Sequence, residues 1–541
     1  MSRRGVVAST DRVASEVGAE VLRRGGNAVD AAVAMHLCLA VVNPEAGNLG
    51  GGGYALVVLP DGAVRALDFR ETAPAAVTRT LYLDAPTVNG RPASLFGPLA
   101  VGVPGSVAGL WALHRAHGTR PWAELVAPAI ELARGIVVHE RLATSLRTYT
   151  DALALDPGAR AVFLRPDGTA PAVGERLVQA DLAVTLEALA RDGADGFYRG
   201  PFAARVEAWM RDHGGILTAR DLAGYEARWR EPLRVPYRGW TLVTVGPSSS
   251  GGLALGLLLG TLAARGQSPP WHSTDALHLF AEASRRAYAD RNAWTGDPDA
   301  VEVPVARLLS RAYLQARAAE LPAERATPPG AVRTGLPESA HTTHLTVADG
   351  RGGFVALTTT LNALYGARVL VPGTGVLLNG QMGDFTTRPG EANAYGLVQG
   401  ARNEVAPGRR MVSSMAPTVA LDPSGAVRLV LGTPGGATIP TTLAQVVSNI
   451  VDHGMDPASA VAAPRVHRQD SPEGLFTEHG GLDPTVARGL TARGHHLEER
   501  PGFQGDVQLV AVRCDGALVA LSDPRRGGSP AAVPEAVAIV H

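Results

Sequence analysis

His341-Thr-Thr-His-Leu-Thr-Val-Ala-Asp-Gly-Arg-Gly-Gly-Phe-Val-Ala-Leu-Thr-Thr-Thr-Leu-Asn362 sets two β-branched runs on either side of the turn cluster Asp349-Gly-Arg-Gly-Gly353. A hairpin folded symmetrically about Arg351 places Thr342 directly opposite Thr360. Opposed side chains in an antiparallel pair lie about 5 Å apart at Cβ, near enough for one hydroxyl to bond the other. Two readings stand at this point. Threonine is a good strand former and Thr–Thr pairs are ordinary cross-strand contacts, or Thr342 is a nucleophile held by a hydroxyl partner.

Upstream, residues 321–340 are broken by Pro and Gly and carry no hydrophobic period, the pattern of an exposed loop. If the chain is cut before Thr342, the new α-amine, with a reference pKa of about 7.7 to 8.0, serves as base for that residue's own hydroxyl. Nucleophile and base are then one residue.

The chain has 541 residues, 45% hydrophobic and 19% charged, enough to bury a large core. Its formal net charge is -1, from 50 basic and 51 acidic residues, which gives no electrostatic case for nucleic acid or an anionic membrane. Every basic residue is Arg. Without Lys there is no Schiff-base or Walker-type lysine, so pyridoxal enzymes and P-loop nucleotidases are excluded. Cys38 and Cys514 lie in apolar settings and are expected to be packing residues, with no argument for an oxidising compartment. His341, His344, His495 and His496 lack metal-ligand spacing and read as surface or packing histidines, so no metal or cofactor is expected. The longest apolar run, Leu253 to Ala264, is short and Gly-broken. With no signal peptide visible, a cytoplasmic protein is expected, or a periplasmic or secreted one if an upstream signal was omitted.

The pattern along the chain predicts a helix from Asp11 to Arg24 closed by Gly25-Gly26, and a second capped by Asn27 and running through Ala40. A hairpin of Tyr54–Leu59 and Ala63–Phe69 delivers Arg70 to a strand end. Helices are expected at Ser106–His117, Trp122–Arg134, Gly251–Ala264 and Thr274–Asn292, and after Gly436 through Val451. Strands are expected to dominate residues 342–381, 415–433 and 508–521.

Blocks in fixed order then give a resemblance. The hairpin, Leu377-Leu-Asn-Gly-Gln-Met-Gly-Asp-Phe385, Ser413-Ser-Met-Ala-Pro417 and Gly432-Thr-Pro-Gly-Gly436 resemble the small subunit of γ-glutamyltranspeptidases. Gly25-Gly-Asn-Ala-Val-Asp-Ala-Ala32, Asn48-Leu-Gly-Gly-Gly-Gly53, Asp68-Phe-Arg-Glu71, Val101-Gly-Val-Pro-Gly105, Ala287-Tyr-Ala-Asp-Arg291 and Gly296-Asp-Pro298 are similar to the large one. The match covers nearly the whole chain. It implies an α+β fold, the four-layer αββα sandwich of N-terminal-nucleophile hydrolases. It also implies self-cleavage between His341 and Thr342 into a large chain, 1–341, ending in a flexible loop, and a small catalytic chain, 342–541, that stay together as a heterodimer.

Carried over residue by residue, the resemblance makes Thr342 the nucleophile and Thr360 its hydroxyl partner, with Gly435 and Gly436 as the oxyanion-hole pair. Arg70, Ser413 and Ser414 match the positions that bind the α-carboxylate of a γ-glutamyl group. Asn362, Gln381 and Asp384 match those that hold its α-ammonium, and Tyr395 matches a lid tyrosine. Arg465 and Arg525 resemble family arginines of structural or supporting role. Two departures lie beside the pocket: Gly380 stands where the family has a second Asn, and Gly383 where it has a first Asp.

The expected activity is cleavage of γ-glutamyl amides such as glutathione, glutamine or glutathione conjugates through a γ-glutamyl–Thr342 ester, with transfer to water or to an amino acid or peptide acceptor. Two alternatives are an acylase for glutaryl or cephalosporin-type side chains and an unprocessed γ-glutamyl-binding protein. Retention of Asp384, Asn362 and Gln381 argues against the first, and intact Thr342, Thr360, Gly435 and Gly436 against the second.

Overall fold

A computed structural model of the chain describes residues 1–84, 87–88, 90–328, 341–389, 399–470, 474–500 and 504–534. The hairpin forms in the predicted register: strands His341–Ala348 and Phe354–Asn362 pair antiparallel with Thr342 opposite Thr360 and Ala348 opposite Phe354. The turn explains why. Gly350 and Gly352 take φ of 71° and 90°, where a side chain is strained. The Asp349 carboxylate accepts the N–H groups of Arg351 and Gly353 at 2.8 and 3.0 Å, and that of Ala28 at 3.2 Å.

This hairpin is the centre of a seven-stranded antiparallel sheet. Its order is Ser529–Ala532, Val6–Ser9, His341–Ala348, Phe354–Asn362, Gly52–Val58, Val64–Phe69 and Arg228–Arg230. A second antiparallel sheet runs Leu518–Ser522, Gln508–Val512, Val427–Gly432, Thr418–Leu421, Trp240–Thr244 and Leu233–Tyr237. Alternation sends one set of first-sheet side chains outward: Val7, Leu345, Val347, Val355 and Leu357 pack against helices Arg12–Arg23, Ala28–Val42, Ser106–His117 and Trp122–Ala133. The other set, Val6, Tyr54, Leu56, Ala348 and Ala356, packs with the second sheet. Helices Gly251–Arg265, Thr274–Trp294 and Thr438–Val451 cover the far side of that sheet. The result is the expected αββα sandwich.

Helix starts are set by caps. The Asp11 carboxylate accepts from Val13 N at 2.8 Å, and Asn27 and Asp30 form a reciprocal capping box. The second helix runs two residues beyond the expected Ala40, to Val42, because all of its residues are buried and packing extends it. Two sequence expectations need correction. After Asn362 the chain has only the short strands Val369–Leu370 and Leu377–Leu378, so strands do not dominate to residue 381. Cys38 is buried as expected, but Cys514 is exposed, because Arg513 N bonds Ala517 O across a reverse turn that turns the thiol outward; both cysteines are free. His344 and His495 are buried, and His495 Nε2 bonds His278 Nδ1 at 2.8 Å. No helix among the described residues is long and apolar enough to cross a membrane.

Candidate active site

The alternation that sends Leu345 outward sends Thr342, His344 and Thr346 into the space between the sheets. Thr342 and Thr360 are both buried, and their Oγ1 atoms lie 3.4 Å apart. The Thr360 hydroxyl also accepts Asn362 N at 2.9 Å, which fixes its rotamer. Room for this pair comes from the glycine run Asn48–Gly53. Gly51 and Gly53 press against the carbonyls of Thr360 and Thr358, where any side chain collides.

His344, two residues along from Thr342, lies against Gly432, the last residue of strand Val427–Gly432. The next residues, Thr433-Pro-Gly-Gly436, therefore run beside the level of Thr342. Gly435 has φ of 139° and Gly436 of 52°, conformations that favour glycine. The turn is pinned by Thr438 N to Gly435 O at 3.0 Å and Ile439 N to Gly436 O at 3.1 Å, which lead into helix Thr438–Val451. Two consecutive N–H groups without side chains can approach a developing oxyanion.

Strand Val64–Phe69 ends at Arg70, which is 1% exposed. Its guanidinium bonds Met411 O at 3.2 Å and Val412 O at 3.3 Å, sits 3.4 Å from Glu71, and forms an ion pair with Asp384. Burial works against the Arg70 charge, but Glu71 and Asp384 beside it outweigh that and raise its pKa. Burial raises the Asp384 carboxyl, with Arg70 opposing, and pushes Glu71 up to about 8 against the same cation.

Asp384 ends a single 3₁₀ turn, Gln381–Asp384. Gln381 Nε2 reaches its carboxylate at 3.4 Å, while Gln381 Oε1 is buried with no partner among the described residues. Asn362, at φ of 78°, turns its amide to Gly380 O at 2.8 Å. Asn403 Nδ2 donates to Asp384 O at 2.7 Å and its Oδ1 accepts Val412 N at 2.9 Å, which ties the Asp384 turn to the Ser413 segment. Ser413 accepts Met415 N at 3.1 Å, and Ser414 accepts from Arg291 at 3.2 Å.

The structure thus brings Arg70, Asp384, Gln381 and Asn362 into one buried cluster and ties it to the Ser413–Ser414 segment, with Thr342 and Thr360 at the head of the central hairpin. Tyr395 lies outside the described residues. Arg465 and Arg525 are supports: Arg465 pairs with Asp523 at 2.7 Å, and Arg525 with Glu478 at 2.7 Å. Sequence reasoning gave no role to Glu71 or Arg291, although both stand in motif blocks. Arg291 is buried and also bonds Ser250 at 2.7 Å; block membership was the one signal available. The departures have a physical counterpart in Leu95. A Cβ at Gly383 collides with the Leu95 side chain, and one at Gly380 with its carbonyl. An apolar side chain fills the space beside position 383.

The family model described as Gamma-glutamyltranspeptidase matches residues 14–533. The chain is 44% identical to a glutathione hydrolase proenzyme of Pseudomonas aeruginosa over 97% of this chain and 94% of that one. It is 38% identical to an Acylase ACY 1 proenzyme of Pseudomonas sp. strain SE83 over 98% and 94%. The crystal structure of a cephalosporin acylase from Bacillus halodurans superposes with a TM-score of 0.88 at 28% identity, covering 99% of this chain and 97% of that one.

Proposed function

We propose, from the premise that this chain belongs to the gamma-glutamyltranspeptidase family, that it is a self-processing enzyme that cleaves γ-glutamyl amides through an ester on Thr342. The observation that carries the reading is the Thr342–Thr360 pair at 3.4 Å, held in the same fold end as the buried Arg70–Asp384 pair. In the precursor the Thr342 hydroxyl attacks the His341 carbonyl, and the acyl group shifts from N to O. Water then releases a large chain, 1–341, and a small chain, 342–541, which remain a heterodimer.

In the mature enzyme the Thr342 α-amine takes the hydroxyl proton as Oγ1 attacks the γ-carbonyl of the donor. Gly435 and Gly436 N–H groups stabilise the oxyanion. The leaving amine recovers the proton, and water or an acceptor amine then opens the ester. A γ-glutamyl donor is a zwitterion at its α-carbon. Its carboxylate suits Arg70 with Ser413 and Ser414, and its ammonium suits Asp384, the free Gln381 Oε1 and Asn362.

The test uses the full chain purified without added protease. Denaturing gels should show two bands, the smaller beginning at Thr342, and the preparation should release p-nitroaniline from γ-glutamyl-p-nitroanilide. Thr342→Ala should stay as one 56.1 kDa band, having no attacking oxygen. A small chain that begins elsewhere overturns the assignment. One observation favours a second reading, an acylase for glutaryl-type side chains: Leu95 fills the space beside Gly383 where an acid would contact an ammonium. Equal rates on glutaryl- and γ-glutamyl-p-nitroanilide would replace the first reading with the second.

A further inference from the structure

A cavity of about 1170 Å³ runs across the end of the first sheet at which Thr342 stands. Its wall takes Thr10 to Val13, which follow the strand on one side of His341–Ala348, and Leu364, which follows the strand on the other side. The head of the nucleophile strand therefore lies between two walls of the cavity. None of Arg70, Asp384, Ser413 or Ser414 lines it. The glutamyl cluster is reached on the side of strands Gly52–Val58 and Val64–Phe69, and this cavity opens on the opposite side of the nucleophile.

The lining carries both signs of charge, and Arg141 is its best-placed cation. Arg141 Nη1 bonds Thr10 O at 2.9 Å, the Thr10 hydroxyl, and Arg526 O at 3.3 Å. Nη2 reaches Glu45 at 3.3 Å, and with its side chain 24% exposed Arg141 keeps Nε and one Nη2 donor for a ligand. Thr10 is on the same sheet face as Thr342, opposite the level of His344. Its hydroxyl donates to Asp506 at 2.6 Å, whose N–H donates to Thr433 Oγ1 at 2.9 Å, one step before Pro434-Gly435-Gly436. The Arg141 anchor and the oxyanion turn are therefore joined by one short chain of hydrogen bonds.

We infer that this cavity is the site of the acceptor and of the leaving amine, and that Arg141 reads the carboxylate of an amino acid or short peptide there. The inference rests on the transferase reading above. In the transfer step the acceptor's free amine attacks the ester carbonyl of γ-glutamyl-Thr342. A C–N bond forms, the C–Oγ1 bond breaks, and the proton lost by the amine returns to Thr342 through its α-amine. An acceptor whose carboxylate pairs with Arg141 holds its amine toward the ester, and the same contact reads the carboxylate of the departing portion of a donor.

Glycylglycine and glycylglycinamide, which differ in that carboxylate, test the site with γ-glutamyl-p-nitroanilide as donor. The ratio of their kcat/KM values is compared between variants, so that the intrinsic reactivity of the two amines cancels. In the unaltered enzyme the carboxylate should be favoured by roughly tenfold or more, the size of one charge-assisted contact. The ratio should collapse toward one in Arg141→Gln and recover in part in Arg141→Lys. A ratio that Arg141→Gln does not move overturns the inference, as does an unaltered enzyme that shows no preference. If Arg141→Gln fails to mature, Thr148→Trp fills the cavity from an exposed lining position and should raise the glycylglycine KM several-fold; an unmoved KM overturns the inference. An unaltered enzyme that releases no p-nitroaniline refutes the transferase reading instead.

Discussion

Arg70 and Asp384 are each other's counterion and, on the proposed function, each meets the opposite pole of a bound zwitterion. Removing either leaves a largely buried charge unpaired, a loss of a few kcal/mol. Asp384→Ala or Arg70→Ala should lower kcat/KM on γ-glutamyl-p-nitroanilide by about 10²-fold or more, while the precursor still cleaves itself. Steady-state kinetics and a denaturing gel on the same preparation separate the two effects. Thr360 acts through its hydroxyl alone, so Thr360→Val, which preserves strand and shape, should slow both maturation and turnover by about 10²- to 10⁴-fold with little change in melting temperature. Rates equal to the unaltered enzyme would show that the 3.4 Å contact has no part in the chemistry.

At the scale of elements, the hairpin sets where Thr342 points, and Asp349 sets the hairpin. Its carboxylate serves two turn N–H groups and the first N–H of helix Ala28–Val42. Asp349→Ala leaves these donors to find other partners at a cost of about 1–3 kcal/mol. We expect a lower melting temperature and slower self-cleavage, read from the time course of the two bands. Unchanged stability would mean that Gly350 and Gly352 alone hold the register.

On the scale of the whole molecule, cleavage before Thr342 divides two interleaved chains. In the first sheet, strand Val6–Ser9 of the proposed large chain lies between Ser529–Ala532 and His341–Ala348, and Phe354–Asn362 pairs with Gly52–Val58. In the second, Thr418–Leu421 pairs with Trp240–Thr244. The two chains should therefore run as one species on a sizing column and part only at the urea concentration that melts the secondary structure. Separation under native conditions would contradict the topology. Acid should act on the same core. Burial holds His36 at a pKa of about 4 and His344 and His467 at about 3, against 6.5 when free. The unfolded chain takes up protons below about 6.5 that the folded one refuses. Stability present at neutral pH is thus lost as pH falls from 6.5 toward 4, by up to roughly 1.4 kcal/mol per unit for each histidine. Melting temperature against pH should slope downward over that range, and less steeply in His467→Gln.

Much of this protein is local and therefore legible in the sequence. Asp-Gly-Arg-Gly-Gly between β-branched runs determined the hairpin and the Thr342–Thr360 register, because turn geometry and a side-chain period of two leave one consistent pairing. Caps at Asp11 and Asn27 determined helix starts for the same reason. What only the tertiary structure decided joins residues far apart in the chain: the ion pair of Arg70 with Asp384, the contact of Arg291 with Ser414, and Leu95 in the space beside Gly383. A buried arginine and a surface one look alike in a helical pattern, as Arg291 shows, and the exposed turn at Cys514 looks apolar from its neighbours. Burial and pairing depend on which elements are packed together, and that is set by the two sheets closing on each other rather than by any segment alone.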